Sequence, residues 1–287
     1  MKYSFIGLGK PIGAVNNLFK SQIKKYRLSH VGEEMPLEQG GVFSSNLSAA
    51  ASFAGENDMC VYLTLEELLI NSDIIFIFLP DKAIKTISLT LGKYDVKNKI
   101  FCHMSSAHTA DILDFNSKNS YMSWHFPYFK KDEDEHSLPG RIIAEGYGKR
   151  IEAFKEALEV LGIESFFVSP EEKLMYIAAL SIAKDLPLML EYTSKRLIKY
   201  ALGSFSNLSQ ELMEMTKTSP ERFNSYDPVE MDDADFAAHQ LDILQSLGID
   251  EITRLYSSLL AVAARTKDTQ TKESERIALL AKRREAL

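Results

Sequence analysis

The chain has 287 residues, of which 45% are hydrophobic and 25% charged, and these proportions are ordinary for a globular protein. Its length allows one large domain or two modest ones. The net charge of −7 does not favour a nucleic acid or an anionic membrane as partner, because both are themselves negatively charged.

The cysteines and the apolar segments give an expectation of the compartment. Cys60 and Cys102 form neither a CxxC pair nor a disulfide framework, so free thiols in a reducing environment are expected. No apolar run approaches the roughly 20 residues that cross a bilayer, and the N-terminus shows no long apolar signal segment. We therefore expect a soluble, cytoplasmic protein.

The residues up to 169 alternate between strand and helix patterns. Strands are predicted at 2–6, 41–44, 59–63, 73–79, 99–105, 122–126, 141–145 and 165–168, and helices at 13–25, 48–55, 64–70, 83–91 and 152–161. The segment 26–39 is interpreted as an insertion or widened connection, and the charge run 130–136 as a solvated loop. This alternation predicts an α/β domain with a Rossmann-like, doubly wound parallel sheet.

From residue 170 onward the strand signals stop. Helices are predicted at 172–200, 208–216, 233–247, 251–266 and 272–286. The change predicts two domains, an α/β domain at 1–169 and an all-α domain at 170–287.

A glycine turn follows the first predicted strand. Gly7 and Gly9 stand where a tight turn and a close approach of pyrophosphate require glycine, but the third glycine, Gly13, arrives one residue late. We expect a dinucleotide on the segment that comprises Gly7, Leu8, Gly9, Lys10, Pro11 and Ile12. A glycine turn in a Rossmann-like domain without cofactor is the alternative.

The end of the second predicted strand bears on the choice between NADP and NAD. It reads Ser44-Ser45-Asn46, without the carboxylate that accepts a hydrogen bond from the ribose 2′-hydroxyl of NAD. A 2′-phosphate would not be repelled there, so NADP is favoured over NAD. The nearest candidate cation is Lys10, in the glycine turn.

Pro80 and Asp81 end the most apolar predicted strand. They lie at the carboxyl edge of the sheet, where ligands bind in open α/β sheets, and are expected to flank a ribose of the cofactor. The alternative is a simple turn in which Asp81 caps a helix that starts near Ala83.

Polar residues that follow later strands are candidates for the chemistry. His103 and His125 end two predicted strands, and either could supply a proton near neutral pH. Ser105 is expected to contact cofactor or substrate. The alternative for each histidine is a hydrogen-bonded structural role.

The long predicted helix after residue 170 adds a lysine, a tyrosine and a carboxylate. Lys173 and Tyr176 share one helix face, and Asp185 lies roughly three turns beyond Lys173. Lys173 is a candidate proton donor, and Tyr176 and Asp185 are candidate substrate contacts, unless Lys173 is solvated and Tyr176 packed. A lone His239 on an amphipathic helix favours a structural role, and no metal site is expected.

Several stretches together resemble a known family. "FIGLGKPIG", "TLEELLINSDIIFIFLPDKAI", "FCHMSSAHTADIL", "WHFPYF" and "EKLMYIAAL" occur in the order and spacing of the Rossmann-like NADP oxidoreductases that carry a C-terminal helical domain of unknown function. Those proteins are distant relatives of pyrroline-5-carboxylate reductase and of the deazaflavin-dependent NADP oxidoreductases. The resemblance implies an NADP domain and a helical domain that pairs two subunits. The chain departs from the family pattern at Ser106, Ile177 and Asp185.

The sequence therefore leads to a hypothesis and an alternative. The hypothesis is an NADP-dependent oxidoreductase that moves hydride to or from a small carbonyl or imine compound bound between the domains, and that forms a homodimer through its C-terminal helices. The alternative, motivated by the departures from the family, is a dinucleotide-binding sensor or dimeric scaffold protein without turnover.

Overall fold

Eight strands form a single sheet in the N-terminal part of the chain. The computed structural model describes residues 1–9, 11–125, 141–180, 190, 194, 234–246, 248, 250–266 and 272–285. The strands are β1 (Lys2–Ile6), β2 (Glu38–Phe43), β3 (Cys60–Val61), β4 (Ile74–Ile77), β5 (Ile100–His103), β6 (Ser120–His125), β7 (Arg141–Tyr147) and β8 (Glu164–Phe167). Their order across the sheet is β3-β2-β1-β4-β5-β6-β7-β8.

Helices connect these strands and follow them. They are α1 (Ile12–Ser29), α2 (Leu47–Asn57), α3 (Leu65–Ile70), α4 (Asp81–Leu91), α5 (Ile151–Val160), α6 (described over 170–180), α7 (Ala234–Ser246), α8 (Asp250–Thr266) and α9 (Lys272–Glu285). A short 3₁₀ helix spans Ala110–Leu113. The predicted helix 208–216 and the predicted loop 130–136 lie outside the described residues.

The sheet is doubly wound, as predicted. β1 pairs in parallel with β2 on one side and with β4 on the other, so the chain reverses its direction of winding beside β1. The pairing stays parallel through β6, β7 is antiparallel to β6, and β8 is parallel to β7. A crevice at the carboxyl ends of β1 and β4 follows from this topology, and such crevices are where open α/β sheets bind ligands.

Both faces of the sheet are buried, because side chains on alternate positions of the central strands point to opposite layers. One layer holds an aromatic cluster, in which Phe76 lies 4.9 Å from Trp124 and the Trp124 ring stacks on Phe154 at 5.6 Å. The opposite layer takes Ile75 and Ile77 of the same strand. This burial explains why β4 is a continuous apolar run.

The insertion or widened connection predicted at 26–39 is shorter in the structure, where the connection spans residues 30–37. Helix α1 continues to Ser29, since Ile23 and Tyr26 still pack against the core, and β2 already begins at Glu38. The pair Gly40–Gly41 interrupts the strand pattern in the sequence. The structure requires glycine at both positions, because a Cβ on Gly40 would lie 2.3 Å from Ser4 Oγ and one on Gly41 would lie 2.4 Å from Cys60 Sγ.

The chain divides into two compact units, 1–192 and 193–287. The first unit extends past residue 170 because α6 is fixed to the sheet by the buried side chain of Lys173. In the second unit α7, α8 and α9 contact one another and bury residues that include Leu241, Ala261 and Ile277. In the part of the chain that the structure describes, no helix is long and apolar enough to cross a membrane.

Candidate functional site

The glycine turn lies at the crevice between β1 and β4. Gly7 has φ +86°, and a Cβ there would lie 2.5 Å from the Phe78 carbonyl oxygen. The Gly7 amide donates to Phe43 O at 2.9 Å, and the Gly9 amide donates to Phe78 O at 3.2 Å. These two amides therefore build the turn and join it to β2 and the end of β4, and donors for a phosphate would have to come from the residues that follow Gly9.

Helix α1 begins directly after this turn. Its first turn carries no acidic side chain that would repel a phosphate. Ile12 is 5% exposed and belongs to the core, so only its backbone faces the turn, whereas a Cβ on Gly13 would meet no atom within 4 Å. The late third glycine is thus not needed for helix packing, and Pro11 is compatible with its place just before the helix. Lys10 lies outside the described residues.

The end of β2 is polar and carries no charge. Asn46 caps α2, because its Oδ1 accepts from the Ala49 amide at 3.0 Å, and its own amide donates to Ser44 Oγ at 3.2 Å. Ser45 is exposed between them. This end of the strand therefore leaves room for a ribose with or without a 2′-phosphate.

The helix that follows β4 starts earlier than in the alternative in which Asp81 was its cap. Helix α4 begins at Asp81, with Pro80 at the preceding position and no side-chain cap. Asp81 therefore lies in the first turn instead of capping a helix that starts at Ala83. Both residues are exposed at the carboxyl edge of the sheet.

His103 is enclosed by the loop that follows β5. The Ser105 amide donates to its Nδ1 at 3.0 Å, so Nε2 carries the proton and donates to Thr109 O at 3.1 Å. The ring is 0% exposed, and burial lowers its pKa to about 4. A neutral imidazole with both nitrogens bonded corresponds to the structural alternative, and it leaves no ring nitrogen for a substrate.

Ser105 is likewise directed into this loop. Its side chain is 4% exposed, and its Oγ accepts from the Ala107 amide at 3.0 Å. The exposed tip of the loop is formed by Ser106 and Ala107. A contact between this loop and a ligand would therefore involve the tip more readily than the Ser105 hydroxyl.

Lys173 reaches from α6 into the sheet. Its side chain is 1% exposed, and Nζ contacts Ser105 O at 3.2 Å together with His108 O and Ser123 Oγ. Burial lowers its pKa, and the negative charge of Glu145 opposes that change. With three oxygen partners in place, Lys173 fixes the loop and is not free to present a proton to a ligand.

Glu145 is a buried carboxylate that sequence reasoning missed. It is 2% exposed, and its two oxygens accept from the Ala110 amide at 2.9 and 3.2 Å. Burial raises its pKa, against the lowering effects of that amide and of Lys173. The strand register sets His103 beside Ser123, and Ser123 beside Glu145. A carboxylate at the end of the apolar run "RIIAE" is the signal that could have drawn attention to it.

His125 and Tyr176 are predicted site residues that the fold brings together. His125 ends β6, Tyr176 lies one turn after Lys173 on α6, and their rings meet edge to face at 5.4 Å. Both side chains are half-buried. The pair therefore combines two groups that can exchange protons at the carboxyl edge of the sheet.

Asp185 lies outside the described residues, and His239 is exposed on α7 in the second unit. Among the described residues, no three His, Cys, Asp or Glu side chains are grouped as metal ligands.

Two cavities lie away from the candidate site. A groove of about 750 Å³ runs between the second half of α1 and the start of β2, and one of about 390 Å³ lies at the amino ends of β1, β4 and β5. Neither touches the glycine turn or the loop after β5. Topology and side-chain chemistry therefore indicate the candidate site, and neither cavity does.

Comparison with known proteins shows likeness in structure alone. No protein-family model and no curated protein matches the sequence. A Thermotoga maritima protein superposes with a TM-score of 0.54 at 18% identity, over 99% of this chain and 98% of that one. A provisionally assigned NADP oxidoreductase from Bacteroides fragilis superposes with a TM-score of 0.57 at 12% identity, over 97% of this chain and 98% of that one.

A dehydrogenase of assigned substrate has a similar fold. Arogenate dehydrogenase from Synechocystis superposes with a TM-score of 0.51 at 14% identity, over 100% of this chain and 86% of that one. Identities this low establish the fold and not the reaction. The chain therefore has a Rossmann-type fold, followed by a helical C-terminal unit.

Proposed function

We propose that the protein is an NADP-dependent oxidoreductase that acts on a small carbonyl or imine compound. The observation that carries this proposal is the Gly7–Gly9 turn, which joins the carboxyl ends of β1 and β4 at the switch point of the sheet and leads directly into α1. The names of the structurally similar proteins support a nicotinamide dinucleotide as cofactor.

The residues of this edge fit such a cofactor. Backbone amides that follow Gly9, at the start of α1, would hold the pyrophosphate, and Ser44 to Asn46 would receive the adenosine ribose. The absence of a carboxylate in that tripeptide supports NADP over NAD. Bound there, the nicotinamide nucleotide would supply or accept the reducing equivalent.

His125 and Tyr176 would handle the proton. They are half-buried, adjacent and at the carboxyl edge, and both residue types serve as general acids or bases. We assign His103 and Lys173 a different part, because their polar hydrogens are already bonded to backbone and side-chain oxygens of the loop. They shape the site and do not touch the substrate.

A dinucleotide-binding protein without turnover is the second candidate function. The specific observation in its favour is the occupation of His103 and Lys173, which removes two of the three acid–base groups expected from the sequence. In that case the nucleotide would be sensed and not consumed.

We further propose that the second unit, residues 193–287, serves in dimerisation and substrate binding. The described helices of the second unit expose large apolar side chains, among them Ile243, Leu255, Val262 and Leu279. A second subunit would bury such side chains. Light scattering of the purified protein would test this directly, and a monomer at micromolar concentration would contradict it.

The first experiment measures binding of NADPH and NADH by calorimetry to the wild type, Ser45→Asp and Ser117→Asp. Ser45 is exposed at the end of β2, so a carboxylate there should weaken NADPH binding about tenfold by repelling the 2′-phosphate. NADH binding should change by no more than about twofold. Ser117 is exposed in the connection before β6, at the opposite edge, and serves as the matched control.

Three results separate the candidate functions. The oxidoreductase is supported if two results are obtained together. Ser45→Asp should selectively weaken NADPH binding, and the protein should turn over members of a carbonyl or imine panel with rates that His125→Gln and Tyr176→Phe lower. Binding with no turnover across the panel favours the sensor. If neither nucleotide binds at millimolar concentration, both candidates are wrong.

A further inference from the structure

We propose that Glu145 is a positioning residue, and that with Lys173 it holds the loop between β5 and the 3₁₀ helix in the shape that the cofactor site needs. The loop comprises residues 104–109, and the pair of side chains is called the charged pair below. Control of the loop by the charged pair follows from contacts alone. The effect on nucleotide binding rests in addition on the proposed function.

The charged pair holds the loop at both ends. Lys173 Nζ contacts the carbonyl oxygens of Ser105 and His108, and both oxygens of Glu145 accept from the Ala110 amide. These backbone groups belong to one short segment, while the two side chains come from β7 and α6. The loop thus depends on two elements that lie far from it in sequence.

The two charges share one buried environment. Both side chains are at least 98% buried, at 2% and 1% exposure, and other charges near them are the carboxylates of Asp81, Asp111 and Glu171. Removing one member of a buried pair leaves an uncompensated charge, which is more costly than removing both. The negative charge of Glu145 favours the charged form of Lys173, whose ammonium group donates to the two carbonyl oxygens.

The loop lies at the edge of the sheet where the cofactor is proposed to bind, so its shape affects that binding. It follows β5, the strand next to β4, on the carboxyl edge of the sheet. Its exposed tip, Ser106 and Ala107, lies between the two points that the pair holds. A dinucleotide placed across the switch point would bring its nicotinamide half to this side and its adenosine half to the β2 side.

The test compares Glu145→Gln and the double variant Glu145→Gln/Lys173→Met with the wild type. Glu152→Gln is the matched control, because Glu152 forms an exposed pair with Lys155 on α5 at 3.2 Å. Hydrogen exchange of peptides that cover 104–110 reports on the loop without any ligand. Calorimetry of NADPH and of adenosine 2′,5′-bisphosphate separates the nicotinamide half from the adenosine half.

We expect Glu145→Gln to speed exchange in 104–110 by about tenfold or more, with other sheet peptides unchanged. We expect NADPH affinity to fall about tenfold, while the affinity for adenosine 2′,5′-bisphosphate changes less than about twofold. Glu152→Gln should change none of these. If Glu145→Gln does not fold, the double variant, which buries no uncompensated charge, should fold and show the same two effects.

Different results overturn different parts. Unchanged exchange in 104–110 in a folded variant refutes the control of the loop by the charged pair. Faster exchange with NADPH affinity unchanged refutes the positioning role. If the wild type binds neither nucleotide, the proposed function fails, and the exchange data alone decide whether the pair holds the loop.

Discussion

The protonation state of His103 gives a quantitative prediction about its role. In the native protein its pKa lies at about 4, chiefly because the ring is buried, whereas the ordinary value is 6.5. At a pH between about 4 and 6.5, His103 binds a proton in the unfolded chain and does not bind one in the native protein. The native state is therefore favoured above pH 6.5, and this contribution is lost as the pH falls toward 4.

The magnitude follows from the two pKa values. Their difference corresponds to about 3 kcal/mol over the whole range, of which about 2 kcal/mol is lost between pH 7 and pH 5. His103→Gln removes the titrating ring and keeps a donor for Thr109 O. The wild type should therefore lose about 2 kcal/mol more than this variant on going from pH 7 to pH 5.

Urea unfolding followed by tryptophan fluorescence measures this difference. Trp124 is the single tryptophan and is 0% exposed, so its emission reports loss of the core. Equal pH dependence of the wild type and His103→Gln would refute the reasoning. A histidine resonance of the native protein that is assigned to His103 and titrates near 6.5 would refute it as well, and would restore this residue as a candidate acid.

Two further predictions concern the turn and the core. Gly7→Ala should lower the free energy of unfolding by about 3 kcal/mol, because Gly7 has a positive φ and the new Cβ would lie 2.5 Å from Phe78 O. Gly13→Ala should be neutral or should raise the free energy of unfolding by up to about 1 kcal/mol. Equal urea midpoints for the two variants would contradict this account of the turn. Phe154→Ala should cost about 3–5 kcal/mol and shift the emission of the Trp124 ring that stacks on it, and a loss below about 1 kcal/mol would show that this stack contributes little.

Local patterns predicted much of the fold because the forces behind them are local. The strand Lys2–Ile6 and the helix of Leu65–Ile70 were both expected. Thr64 Oγ1 accepts from the Glu67 amide at 3.1 Å, and the Glu67 carboxylate accepts from the Leu63 amide at 2.9 Å. Such features depend on neighbours within four residues, so they can be read before the tertiary structure is known.

Other features depended on what lies across the sheet. The second strand was predicted only from residue 41, yet β2 begins at Glu38 and includes both Gly40 and Gly41, where Ser4 and Cys60 on the adjacent strands leave no space for a Cβ. No local pattern contains that information.

The candidate site likewise has features that the sequence predicts and features that only the tertiary structure decides. The sequence by itself determined the glycine turn, the doubly wound order of strands and helices, and a set of polar residues after strands, since these follow from spacing and apolar period. Only the tertiary structure decided their roles. It paired His125 with Tyr176, enclosed His103, and brought Glu145 and Lys173 to one loop from a remote strand and a remote helix. The physical reason is burial, which depends on the whole fold and determines whether a polar side chain faces a ligand or holds a loop.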